Sequence, residues 1–216
     1  MIDLHTHTLL SDGELLPMEL ARRAKVKGYT ILGISDHVDM TTIENVAASI
    51  LKIQKYAELH EGITVIPGCE LTHCPARQIG ELTALARKLG FAYVVVHGET
   101  IAEPVEKGTN AAAIEAGVDI LAHPGLITEK EVEDARNRGI LLEISARKGH
   151  SLTNGHVARV ARSLGARLVL NTDSHSPSDL ITDEEGMRIV QGAGLTVGDF
   201  AEMQKNARAL VRKITG

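Results

Sequence analysis

Apolar positions along the chain follow two rhythms. Seven short runs, most of them apolar on successive residues, span Ile2 to Thr8, Tyr29 to Ile34, Ile63 to Glu70, Phe91 to His97, Asp119 to His123, Ile140 to Ser145 and Arg167 to Asp173. Runs of this length that offer apolar side chains to both faces predict strands covered from both sides. Between them the apolar residues recur at helical spacing. Leu15 to Lys27 carries Leu16, Leu20, Ala21 and Ala24 and stops at Gly28; Thr41-x-x-Glu44 reads as a capping box for a helix reaching about His60, with Gly62 behind it. Further helices are predicted over Ile79 to Lys88 with Gly90 as stop, over Asn110 to Ala116, after a second capping box at Thr128-x-x-Glu131, and over Gly155 to Leu164, Glu184 to Ala193 and Val197 to Ile214. Strand followed by helix, seven times over, predicts an α/β fold with a closed or nearly closed parallel barrel of the TIM type; an open doubly wound sheet is the alternative. With no internal repeat and no low-complexity linker, residues 1–216 read as one domain.

In such barrels chemistry collects at the C-terminal ends of the strands, and here those ends are ionisable. His5 and His7 leave the first strand on one face, with Asp12 close behind; His37, Glu70, His97 and His123 end later strands, and Asp173 with His175 repeats the i, i+2 spacing near the other end of the chain. Any one of these histidines alone reads best as a satisfied core or surface residue. Nine such groups at one face read as a metal centre, because buried imidazoles and carboxylates without partners are costly. Zinc takes about four ligands, so nine imply two or three ions. Imidazole-rich coordination favours zinc, manganese or iron over magnesium.

The motifs His5-Thr6-His7-Thr8, Ser11-Asp12-Gly13, Ser35-Asp36-His37, Gly68-Cys69-Glu70, His97, His123-Pro124 and Asp173-Ser174-His175 resemble the polymerase and histidinol phosphatase (PHP) family, nearly end to end. The resemblance implies a distorted seven-stranded barrel and a trinuclear site. It implies His5, His7, Glu70 and Asp173 on one ion, Glu70, His97 and His123 on a second, and Asp12, His37 and His175 on a third, with Glu70 bridging the first two. Glu70, Asp173 and His175 are the expected catalytic residues. A chain of 216 residues looks more like the small-molecule phosphatases than the long polymerase-linked members, so the implied activity is a phosphoesterase using metal-activated hydroxide on a small phosphorylated metabolite, a histidinol-phosphate-like ester first. Competing readings are a nucleotide or oligonucleotide phosphodiesterase, an amidohydrolase-type C–N hydrolase sharing the His-x-His opening, and a regulatory metal-binding domain without turnover.

Composition narrows the partners. A net charge of −5 and an aromatic content of 2% speak against a general basic surface or stacking platform for nucleic acid. No apolar run is long enough for a bilayer and no signal peptide is visible; with Cys69 and Cys74 the sole cysteines, the cytoplasm is the expected compartment. Arg147, Lys148 and His150 form a cationic loop after the sixth strand that would hold the phosphate, against the alternative of a solvated basic loop; Glu143, Ser145 and Arg147 share one strand parity. Glu99 is a candidate for orienting a ligand or relaying a proton, against the alternative of a surface loop carboxylate, and Asp36 and Asn171 for supporting the ligands. Cys74 reads as packing or loop rather than a ligand, and His60 and His156 as exposed helix residues.

Overall fold

The structure is a computed structural model that describes residues 1–53 and 62–216. Its strands are β1 (Ile2–Asp3), β2 (Ile31–Ile34), β3 (His37–Val38), β4 (Thr64–Leu71), β5 (Tyr93–His97), β6 (Ile120–Ala122), β7 (Leu141–Ser145) and β8 (Leu168–Asn171). All pair in parallel in the order β1-β2-β4-β5-β6-β7-β8, and β3 also lies along β4, so β2 and β3 are two lengths of one stave. The result is the expected α/β barrel of seven staves, nearly closed. The helices are α1 (Pro17–Val26), α2 (Ile43–Ile50), α3 (Ile79–Leu89), α4 (Thr109–Ala116), α5 (Glu129–Arg138), α6 (Asn154–Leu164), α7 (Asp183–Gly192) and α8 (Val197–Thr215).

Local chemistry explains most boundaries. Thr128 caps α5 as predicted, its hydroxyl accepting from Glu131 N while the Glu131 carboxylate accepts from Thr128 N. The Thr41 box does not form: α2 starts at Ile43 with Thr42 as its N-cap, so Glu44 is not three residues beyond the cap, and Asp39 accepts from the backbone N–H and hydroxyl of Thr41. The predicted helix end at His60 lies outside the described residues.

The barrel closes differently at its two ends. Toward the C-terminal mouth the first and last staves meet through backbone bonds, Asp173 N to His5 O at 2.9 Å and His7 N to Ser174 O at 2.8 Å. Below that, side chains replace the ladder. Asn171 Oδ1 accepts from Leu4 N at 2.9 Å, Asp3 accepts from Thr172 N, Thr172 Oγ1 and His5 N, and Gln204 of α8 both accepts from Ile2 N and donates to Ile2 O. Every buried backbone group must find a partner, and here a helix and two polar side chains stand where an eighth stave would.

Alternation along the staves sorts the interior into layers. Ile66, Tyr93, Leu141 and Val169 form an apolar floor with Ile2, Leu4, Ile31 and Ile120, joined by Ala207, Leu210 and Val211 of α8. Four residues further along the same faces stand Glu70, His97, Ser145 and Asp173, all buried. The larger apolar cluster lies outside the staves, under the helices.

Tyr93 fills the floor only because its neighbours lack side chains: a methyl group at Gly68 would land on the Tyr93 ring, and one at Gly33 on its hydroxyl. Gly68→Ala is therefore expected to destabilise by about 1–3 kcal/mol, lowering Tm by roughly 2–4 °C for each kcal/mol. Tyr93→Leu should relieve part of that loss, so thermal melts of the double variant should show a coupling of at least about 0.5 kcal/mol. Additive losses would mean that the clash is absorbed elsewhere.

Candidate metal centre

The nine predicted groups converge on the C-terminal mouth. His5 and His7 follow β1, Glu70 lies near the end of β4, His97 ends β5, His123 directly follows β6, and Asp173 stands two residues after β8. His5, His7, Glu70, His97, His123 and Asp173 are buried, whereas His37 and His175 are partly exposed and the Asp12 side chain is 58% exposed at the rim. His123 and Asp173 hold left-handed backbone angles, φ 28° and 52°. Bulky residues avoid that region at a cost of about 1–3 kcal/mol, so the turns that aim these two side chains into the mouth are strained.

Distances within the cluster are short but poorly aligned for hydrogen bonds. His5 Nε2 lies 3.3 Å from Glu70 Oε2, His7 Nε2 lies 3.2 Å from Asp173 Oδ1, and His123 Nε2 lies 3.7 Å from Glu70 Oε1. Yet His5 Nε2, both His7 nitrogens, Glu70 Oε1, His123 Nδ1 and Asp173 Oδ1 are buried with no hydrogen-bond partner among protein atoms. Buried polar groups are nearly always paired, and a convergent set that is not paired fits divalent cations held between the side chains. Donor atoms lie within 4.8 Å of one another in His5, His7 and Glu70; in His5, His123 and Asp173; in His7, Asp12, His37 and His175; and in His97, His123 and His150. The residues present thus fit metal ions.

Protein charges alone already sort the protonation states. Burial would strip the proton from His5, but Glu143, Glu70 and Asp173 overcome it and hold the imidazole well above its usual range. Burial, with the neighbouring imidazoles, keeps His7 and His123 well below theirs, and pushes His150 down to about 4, with His97 adding to the effect. Neutral imidazole is the form that binds metal. Burial works against ionised Glu70, but His5 and His37 hold its carboxyl far below the normal range; burial, reinforced by Glu70 and Glu143, drives Asp173 far above it. Two carboxylates in one buried site push their ionisations apart unless cations separate them.

Two acids that sequence reasoning did not assign to the site belong to it. Glu143, buried on β7, sets the His5 ring through a 2.8 Å contact to Nδ1 and itself accepts from Asn171 Nδ2, so Asn171, expected to support a ligand directly, touches the His5 ring only through Glu143. The signal was present: a lone carboxylate inside an apolar strand, in parity with Ser145. Glu103 lies on the loop after β5, where its carboxylate is 2.9 Å from His97 Nε2, 3.2 Å from His73 Nε2 and 3.5 Å from His150 Nε2. Glu99, one candidate for that neighbourhood, instead accepts from Gly108 N and Asn110 N at the start of α4. Asp36 accepts from Thr8 and Ser11 and so fixes the loop after β1 rather than a ligand ring.

The cationic loop divides. Arg147, 29% exposed, donates from Nη1 to Asp173 O at 3.0 Å and lines the mouth; His150 is buried there; Lys148 is exposed and outside the pocket lining. Cys74 packs in the core as predicted. His156, expected to be exposed, is half-buried because its Nε2 donates to Ile127 O at 2.7 Å, while His60 lies outside the described residues. The mouth encloses about 200 Å³ between Asp12, His37, His97, Arg147, Asp173 and His175, among others. A pocket of about 250 Å³ elsewhere, beside Leu168 and Met203, contains no histidine.

Comparison with known proteins agrees with this geometry. The PHP domain model matches residues 3–108. An uncharacterised protein of Methanocaldococcus jannaschii is 46% identical over 199 residues, covering 90% of both chains. A probable phosphatase of Thermoanaerobacter sp. (strain X514) is 25% identical over 240 aligned positions, covering 100% of this chain and 98% of its own. The solved structure of a histidinol phosphate phosphatase from Lactococcus lactis, complexed with zinc, L-histidinol and phosphate, superposes with a TM-score of 0.63 at 17% identity, covering 90% of this chain and 94% of its own. With its strand-end motifs, its barrel and these relatives, the chain belongs to the PHP domain family.

Proposed function

We propose that the protein is a metal-dependent phosphoesterase that hydrolyses a small phosphorylated metabolite. One observation carries this reading: a set of buried, unpartnered imidazoles and carboxylates shares a mouth of about 200 Å³ with the half-buried guanidinium of Arg147. Relatives named probable phosphatases support the same class. Two or three zinc, manganese or iron ions would supply Lewis acidity toward the phosphate oxygens and a water made acidic enough to attack at neutral pH.

The protein's own groups have distinct tasks in this reading. His5, His7, Glu70 and Asp173 hold one ion, Glu70, His97 and His123 a second, and Asp12, His37 and His175 a third. Glu70 lies between the first two sets, with Oε2 3.3 Å from His5 Nε2 and Oε1 3.7 Å from His123 Nε2. Glu143 and Thr72 fix the rings of His5 and His37 from behind, as outer partners of metal ligands do. Turnover depends on Glu70 and Asp173 within the cluster and on His175 at the rim, where its Nδ1 donates to Asp173 O at 2.9 Å and its Nε2 faces Asp12 at 3.1 Å. Arg147 binds a phosphate oxygen that the ions do not reach, and neutralises part of the charge on Asp173. Lys148 is too exposed to share that task. The enclosed mouth favours a compact ester over a polymer.

A screen of phosphorylated metabolites against the metal-reconstituted protein tests this. Phosphate release from at least one small monoester is expected; turnover confined to oligonucleotides or to C–N substrates would overturn the reading. Elemental analysis should find two to three transition-metal ions per chain, and Glu70→Gln, which keeps shape but loses charge, should lower metal content and cut activity by more than about a hundredfold, beyond the loss of an outer-shell partner. Full metal content and normal turnover in that variant would remove Glu70 from its bridging place. Arg147→Ala and Arg147→Lys should each lower kcat/KM by about thirtyfold, or on the order of 2 kcal/mol, because lysine cannot reproduce the paired contacts. Values within twofold of wild type would return the phosphate to the metals alone.

A further inference from the structure

His150 is outside the nine groups that the family resemblance supplies, yet it is placed like a ligand. Gly149, with φ 96°, turns the chain after β7 so that His150 opens a short 3-10 turn and points inward, 4% exposed. Its Nδ1 lies 2.9 Å from the hydroxyl of Thr100, itself buried, which fixes the ring and leaves Nε2 facing the mouth. Ligating histidines are commonly held in this way, one nitrogen tied to a protein group and the other presented. The ring stacks on His123, with centroids 4.1 Å apart and planes at 18°, and the donor atoms of His97, His123 and His150 lie within 4.8 Å of one another.

The surroundings of Nε2 decide between a cation and an anion. Glu103 Oε1 is 3.5 Å away and Asp173 Oδ2 is 3.7 Å away. Glu103 also lies 2.9 Å from His97 Nε2, so one carboxylate spans the two imidazoles from the solvent side. A phosphate oxygen placed here would meet two carboxylates. A divalent cation would meet three imidazoles, with the Glu103 carboxylate beside two of them and also near His73, the donor types that zinc and its neighbours prefer.

We propose that His150 is a metal donor, and that with Glu103 it completes the coordination of the ion held by His97 and His123. The proposal rests on the metal-centre reading above. It extends the donor set beyond the nine strand-end groups, using the segments after β5 and β7. That ion is then enclosed on its solvent side by protein.

Titration of the metal-free full chain with Zn²⁺, repeated with Co²⁺ to read the visible absorption of the bound ion, tests it without reference to activity. Wild type should bind two to three equivalents. His150→Phe, which keeps a ring against His123 but has no nitrogen, should lose one equivalent or bind it about 10–100-fold more weakly, with a changed Co²⁺ spectrum and the other equivalents intact. Glu103→Gln should weaken the same equivalent. Wild-type stoichiometry, affinity and spectrum in both variants would overturn the proposal. Failure of wild type to take up Zn²⁺ would instead overturn the metal-centre reading, so the two failures are distinct. Should circular dichroism show His150→Phe misfolded, Thr100→Val decides: it keeps shape, frees Nδ1 and is expected to weaken the same equivalent about tenfold, and unchanged binding there would equally sink the idea.

Discussion

Three carboxylates buried at one end of a barrel are the constraint around which this chain is arranged. Glu70, Asp173 and Glu143 are almost fully inaccessible and lie among His5, His7 and His123, which are equally buried. Charges taken out of water are tolerated only when opposite charge and hydrogen bonds replace the solvent. Protein groups supply part of that replacement, through Asn171 on Glu143 and Arg147 on Asp173. The remainder, the unpartnered atoms that face inward, defines the place a cation is asked to fill.

The rest of the fold makes such a concentration of polar groups tolerable. One end of the barrel interior is a dense apolar floor, in which Tyr93 occupies the space left by two glycines, and the other end is ionisable. Strain is placed at the same end: His123 and Asp173 hold left-handed angles that the surrounding staves enforce. Stability drawn from the floor and the helical layer thus supports a mouth that would not assemble from its own interactions.

The sequence made the architecture readable because a stave covered on both faces and an amphipathic helix leave different periodicities, and seven alternations of the two admit few folds. The strand-end positions of His5, His7, Glu70, His97, His123 and Asp173 were readable for the same reason. Residues delivered by loops were not. Glu99 and Glu103 stand four residues apart in one irregular segment, and only the path of that loop decides that the first caps a helix while the second meets three imidazoles. Strand parity singled out Arg147 in the sequence but did not distinguish Lys148 from His150, and a turn at Gly149 separates the buried histidine from the exposed lysine. Glu143 was legible in principle, as a charge inside an apolar strand.

The seam between the first and last staves joins the parts of the barrel that are farthest apart in sequence. Neighbouring staves elsewhere in the barrel are joined by a single helical crossover, so each pairing closes a loop of a few tens of residues, whereas Thr6 meets Ser174 across almost the whole chain. Contacts of such separation carry a larger loop-closure entropy than those between sequence neighbours, and that cost must be met before any of them is made. His5 and His7 ride on one side of that seam and Asp173 on the other, with side chains rather than a ladder holding its lower half. The site therefore exists only while the seam is closed: a cation bound across it would act as a clasp joining the first and last staves.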